Sequence, residues 1–562
     1  MKFSSLAVLS VIVLAAGAVF AQENRASGEQ APPSSLADEI KTLRDAVMQQ
    51  QQQIAQQQQR IGQQQQQIDS LQKALESKPA SAPHVEDATL RTEAPAATKT
   101  ASDDTATQEK PKESPLSFRI GGTEFTPGGF VDFENVFRTT NTGNNISTNF
   151  GAIPFSNSVQ GNITEFRTTG QYSRFNLKIT GKYGANDIMG YLEGDFNGND
   201  PTNVFVTSNS HTARLRLYWL DLKRGNWEFL GGQSWGWATP NRVGLSPMPA
   251  DLAITIGEDA NIHVGINYTR AGTFRAVYHF TDKFQWGVAV ENSQQYVSSG
   301  TPAPVVFPVA FRDALTPQFD AANNNATPNL APDLWTKMAW DSAGGRQMHF
   351  EVGGVMTTAK ITFQPTGIPG VSFHHDSNVG GGIVAATNVA ITKNFRFLAN
   401  AMAGKGIARY MIGLGPDVVV APVSFNGAAC TPTAGCAVSI SGVHAGSGLG
   451  GFEWQARPKT LFGLYYGAAY FERNAFPDLT SPASSKPFIG FGGINSATTA
   501  NRAIQQGTID INQTFWRNPQ YGAVLLILQS SYLTRSPWFV AAGAPKNAHL
   551  FMQWLSLRYV LP

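Results

Sequence analysis

Two pairs of basic residues in this chain are spaced to act on a charged solute: Arg174 with Lys178, and Arg214 with Arg216. In the run from Tyr172 to Tyr183, Phe175, Leu177, Ile179 and Tyr183 fall on one face. Arg174, Asn176, Lys178, Thr180 and Lys182 fall on the other. Successive strand side chains point to opposite faces, so this alternation predicts a strand with one oily and one polar wall. Arg214 and Arg216 likewise alternate with Leu215, Leu217 and Trp219. Being two apart on a strand, they project the same way, ~7 Å apart. Guanidinium forks hold carboxylate or phosphate bidentately, and if the two strands curve together the three arginines and Lys178 form a basic ladder suited to organic anions. Arg275 and Lys337 share the inward phase. Glu193, Asp195, Glu291 and Glu351 oppose them. The chemistry is weak binding and release rather than bond making. The other reading is that these charges only solvate a polar interior or pair with one another, Glu193 and Asp195 neutralising the arginines.

The segment from Ser234 to Ala260 lacks clean alternation and carries Trp235, Trp237, Arg242, Asp251, Glu258 and Asp259. Its position suits a loop that folds inward to narrow a pore, with Asp251, Glu258 and Asp259 facing the basic wall. A surface or subunit-contact loop is the alternative. Cys430 and Cys436 share one segment of an oxidising compartment and are expected to be bonded to each other. His374-His375-Asp376 looks like a metal cluster, but adjacent side chains on an extended segment diverge, so no metal is expected. No cofactor is expected either. A hydrolase would need a converging nucleophile, base and acid, and no nucleophile-elbow motif occurs, so the chain is not expected to be an enzyme.

These residues need a wall to carry them. The alternating pattern recurs to the C-terminus, with alternately short and long connections, which is the pattern of an all-β transmembrane barrel of antiparallel strands. Short turns at Thr281-Asp282-Lys283, Thr392-Lys393-Asn394, Pro458-Lys459 and Asn518-Pro519 share one side. Long connections such as Val297 to Ala331 and Met411 to Ser447 share the other. One stretch sets the strand count. A hairpin at Ala271-Gly272 would put Arg275 and His279 against lipid. A single continuous strand from Asn261 to Phe280 keeps them inside and turns Tyr268 and Tyr278 to lipid. The total is then about 16 strands.

The chain has 562 residues and a net charge of +2, which implies no nucleic acid partner. Charged residues are 15% and aromatics 11%, a balance suited to a lipid-facing wall with aromatic girdles. After residue 21 no apolar run reaches membrane-helix length. Residues 1–21 read as a Sec signal peptide cut after Ala21. Within residues 22–77, Ile40, Val47, Ile54, Ile61, Ile68 and Leu75 recur every seven residues. Leu36, Leu43, Gln50, Gln57, Gln64 and Leu71 fill the second seam. This predicts a parallel three-stranded α-helical coiled coil of ~60 Å. Residues 78–116 read as a flexible linker, and 117–562 as the barrel.

This order of parts resembles the DcaP-like trimeric outer-membrane porins. So do Gly128-Gly129-Phe130-Val131-Asp132, Tyr172-Ser173-Arg174-Phe175, Gly231-Gly232-Gln233-Ser234-Trp235 and Val288-Ala289-Val290-Glu291-Asn292. The resemblance implies a homotrimer in outer-membrane lipid, an N-terminal coiled coil in the periplasm, and uptake of small anionic solutes. Peptidoglycan is a further candidate partner of the N-terminal segment. A barrel that only tethers envelope layers is the alternative. The ending Tyr559-Val560-Leu561-Pro562 departs from the usual terminal aromatic residue.

Overall fold

In the computed structural model, residues 114–562 are described apart from short stretches of the connections, the longest being 199–209 and 297–310. The signal peptide, the coiled coil and nearly all of the linker lie outside the described residues. The alternating runs form a closed antiparallel barrel of 16 strands. In chain order they are β1 (Thr123–Arg138), β2 (Arg174–Tyr183), β3 (Asn186–Asp195), β4 (Arg214–Arg224), β5 (Trp227–Trp235) and β6 (Arg270–Thr281). There follow β7 (Phe284–Asn292), β8 (Asp333–Asp341), β9 (Met348–Phe363), β10 (His374–Thr392) and β11 (Phe395–Lys405). The last are β12 (His444–Arg457), β13 (Thr460–Phe471), β14 (Asn501–Asn518), β15 (Gly522–Pro537) and β16 (Ala548–Val560). Each strand pairs with its sequence neighbours. β16 closes on β1 in the register Asp132 opposite Arg558 and Glu134 opposite Ser556.

Both barrel ends and the short turns share one rim. Just above it the outward side chains form an aromatic girdle, including Trp227, Phe280, Trp340, Phe350, Trp454 and Phe515, all well exposed. Higher up, exposed Val131, Phe133, Leu220, Val352, Ile383, Leu464 and Ile509 give the wall an apolar band. An apolar outer wall flanked by aromatics is what a bilayer requires of a barrel.

Two expectations about facing are corrected. Leu217 and Trp219 point inward, at 0% and 5% exposure, with the Trp219 ring stacked on Tyr191. The register slips between Glu193 and Gly194, so β4 carries an extra residue at Arg216–Leu217 and reverses phase. Tyr218, Leu220 and Leu222 face lipid instead.

The second correction concerns Asn261 to Phe280. The chain does not reverse at Ala271-Gly272, but the strand begins only at Arg270. Residues 261–269 belong to the preceding loop and lie inside the barrel. Tyr278 is on the lipid side of β6. Tyr268 is not: its ring meets Trp235 edge-on, and its backbone N–H donates to the Tyr410 carbonyl. Ile262, Val264 and Ile266 alternate because they are buried, not because lipid covers them.

Candidate functional site: a lumen crossed by its third long loop

The loop joining β5 to β6, residues 236–269, folds into the lumen and crosses it. Its root is held on the near wall. Trp237 N–H donates to Glu291 on β7, and Lys337 on β8 donates to the carbonyls of Trp237 and Thr239. Lys337 also pairs with Glu351 on β9 at 2.8 Å. In mid-span, Arg242 forks onto Glu453 of β12 at 2.6 and 2.8 Å and donates to the carbonyls of Leu252 and Ile254. On the far wall, the N–H groups of Glu258 and Asp259 donate to Gln529 of β15. The returning limb presses on β12 and β13. Gly265, at φ +92°, leaves no room for a side chain beside the Gly448 carbonyl. At Gly467 the Val264 carbonyl does the same. Val264 N–H is taken by Gln506 of β14, and Asn267 donates to Asn400 of β11. His263 is enclosed there beside the Tyr465 ring, with the Val264 carbonyl as its one hydrogen-bond partner among the described residues. Burial pushes its pKa down to about 4.

The basic wall stands on β2–β4. Arg214 forks onto Asp195 at 3.0 and 2.7 Å. Arg216 donates to Glu193 at 2.8 Å and to Asp195 at 2.6 Å. Arg174 lies 3.7 Å from Glu193 and over the rings of Phe130 and Tyr172. Arg270, which sequence reasoning missed, sits over the Trp235 ring opposite Arg216 and feels the charges of Arg214 and Arg216. With Arg270 of β6 the wall therefore brings four guanidiniums against two carboxylates among the described residues. Access is uneven. The Arg214 side chain is 32% exposed, Arg174 15% and Arg216 only 5%. Lys178 is half-buried, and no carboxylate pairs with it among the described residues.

Other expected site residues sit elsewhere. Lys182 pairs with Asp187 at the turn rim, both well exposed, away from the inserted loop. Arg275 is buried and donates to Ser234 Oγ and the Trp235 carbonyl, so it braces the loop root. Asp251 accepts from Ser246 within its own loop and does not face the basic wall. Glu258 feels that wall through the charge of Arg174, but neither it nor Asp259 pairs with Arg214 or Arg216. They meet β1, β16 and the first long loop, where Arg558 contacts both Asp132 and Glu258 and Thr148 N–H donates to Asp259. Burial holds the Glu258 carboxyl up at about 8, against the pull of Arg558. Arg558, Asp132 and Glu134 were readable as inward by alternation. Their meeting with Glu258 was not.

Cys430 and Cys436 are bonded, closing the tip of the hairpin formed by Val418–Ser424 and Cys436–Gly442. His374 packs on Phe363 and Phe425, while His375 turns the other way to Thr362.

No family model and no curated protein matches the chain. Among solved structures, the outer membrane channel DcaP of Acinetobacter baumannii superimposes with TM-score 0.52 at 16% identity, covering 78% of this chain and 98% of that one. OprB of Pseudomonas putida gives TM-score 0.39 at 12% identity, covering 77% and 94%. Salmonella typhi OmpF, solved with daunomycin, gives 0.39 at 10%, covering 79% and 100%. The last two are too distant to carry argument. At these identities the first establishes the architecture alone: the chain has a DcaP-like barrel fold.

Proposed function

We propose that the protein is an outer-membrane porin, giving small hydrophilic, preferentially anionic organic solutes a passive route through a water-filled pore. The observation that carries this reading is a charge imbalance beside the inserted loop, where Arg174, Arg214 and Arg216 of β2–β4 and Arg270 of β6 meet two carboxylates among the described residues. Fully paired charges select weakly, so the imbalance, more than the number of arginines, sets the preference. Arg214 and Arg174 offer the exposed part of it, with Lys178 further toward the turn rim. A solute carboxylate meets a fork already engaged with Asp195, so each contact is brief, as conduction demands. The fold and the apolar outer band support an outer-membrane location. The heptad series and the sequence resemblance to trimeric porins support a homotrimer with its N-terminal segment in the periplasm. Purified protein in a planar bilayer tests the reading: stepwise conductance is expected, and a barrel that inserts without conducting would reject it.

A further inference from the structure

The tip of the inserted loop closes on a cluster of carboxylates that its own surroundings leave under-compensated. Asp132 and Glu134 project inward from β1, and Glu258 comes down on them from the loop. One oxygen from each of the three lies within 4.8 Å of the others, and the residues are 3%, 0% and 1% exposed. Arg558 contacts Asp132 Oδ2 and Glu258 Oε2, so among the described residues one guanidinium touches three carboxylates, with Arg174 acting on Glu258 from farther off. Asp132 Oδ1 and both oxygens of Glu134 are buried with no hydrogen-bond partner among the described residues. Leaving such oxygens unanswered is costly.

A second observation comes from the neighbouring strand. Ser556 of β16 stands directly opposite Glu134 in the register, on the same inward face. It is 0% exposed, and its hydroxyl has no partner among the described residues. A neutral oxygen donor is thus aimed beside the carboxylates, where it adds to the donor set without adding charge.

We propose that Asp132, Glu134 and Glu258, with the Ser556 hydroxyl beside them, bind one divalent cation, Ca²⁺, that clamps the loop tip to the β1–β16 wall. The donors are all oxygen, which suits hard cations rather than zinc or copper. Calcium accepts irregular sets of carboxylates at 2.3–2.6 Å and so spans oxygens about 5 Å apart, whereas magnesium demands a compact octahedron. With all three carboxylates ionised in the bound state, the two positive charges of the ion and the one of Arg558 balance them. The site joins elements far apart in sequence, so occupancy fastens the loop where its backbone otherwise rests on Gln529. The proposal depends on the closed barrel and the inserted loop, not on which solutes pass.

The test uses full-length protein refolded without lipopolysaccharide, which itself binds calcium, and stripped with chelator. Equilibrium dialysis against ⁴⁵Ca²⁺ should find one ion per chain, half-saturating below about 1 mM. A Glu134→Gln variant should bind at least tenfold more weakly, and Ser556→Ala, which changes no charge, several-fold more weakly. Calcium should also raise the melting temperature of wild type above that in chelator, and this shift should vanish in Glu134→Gln. Should Glu134→Gln fail to fold, the wild-type stoichiometry and the Ser556→Ala affinity decide the matter. Wild type that binds no calcium up to 10-fold above that concentration would overturn the proposal. So would binding unchanged in both variants.

Discussion

Arg216 is 5% exposed and lies between two carboxylates, with Nε 2.8 Å from Glu193 and Nη1 2.6 Å from Asp195. Its neighbour Arg214 shares Asp195 but keeps a third of its side chain exposed. The two arginines that looked equivalent in the sequence therefore differ. Arg216→Ala leaves the buried Glu193 with Arg174 at 3.7 Å and the Tyr191 hydroxyl, and should cost about 2 kcal/mol. Arg214→Ala removes a partly solvated pair and should cost about 1 kcal/mol or less. Urea unfolding in detergent, read by tryptophan fluorescence, checks the order. Equal losses would mean that both pairs are equally solvated.

Alternation made the strands legible because a barrel wall has two different solvents. It failed where that premise failed. The bulge at Arg216–Leu217 moved Trp219 inside without altering the pattern. Residues 261–268 alternate like a strand, yet their apolar side chains are covered by the interior of the barrel. Periodicity reports that one side is covered and does not report by what. The loop-tip cluster was illegible for another reason. Arg558 and Glu258 are 300 residues apart, and only barrel closure brings the last strand to the first.

Arg242 should anchor the middle of the inserted loop. Arg242→Ala removes its fork to Glu453 and its bonds to Leu252 and Ile254. Glu453, 3% exposed, is left with the Tyr465 hydroxyl and the more distant charge of Arg396. Single-channel records should show a noisier open state and higher mean conductance. Adding Glu453→Gln should recover part of the lost stability, because no buried charge then remains. A quiet channel of unchanged conductance in Arg242→Ala would place the anchor elsewhere.

The loop should loosen in acid through His263. Its folded pKa, about 4, lies below the ordinary 6.5, through burial alone, with the Val264 carbonyl opposing. Stability from the neutral ring is complete above pH 6.5 and is lost as the pH falls from there toward 4. The total is on the order of 3 kcal/mol. Open-channel noise should rise between pH 6 and pH 4.5 in wild type, and less in His263→Gln, which cannot charge. Identical noise profiles for the two proteins would remove His263 from the response.

Removing the disulfide should disturb only the hairpin it closes. The chain-entropy model gives about 2 kcal/mol for so short a loop. Cys430→Ser with Cys436→Ser should speed proteolytic nicking between β11 and β12 while leaving the barrel's melting temperature unchanged. A large fall in melting temperature would show that the hairpin supports the barrel itself.

Excess positive charge on the β2–β4 wall and the adjoining Arg270 of β6 should make the pore favour anions. Reversal potential under a salt gradient measures it most directly, at low salt, where the screening length is ~10 Å at 0.1 M and longer below it. The informative variant is Arg214→Gln with Arg270→Gln, which removes the excess and keeps the buried Arg216 pairs. Wild type should reverse on the anion-favouring side, the variant should move toward zero, and the difference should shrink as salt rises. A wild-type potential at zero or on the cation side, unmoved in the variant, would contradict the account.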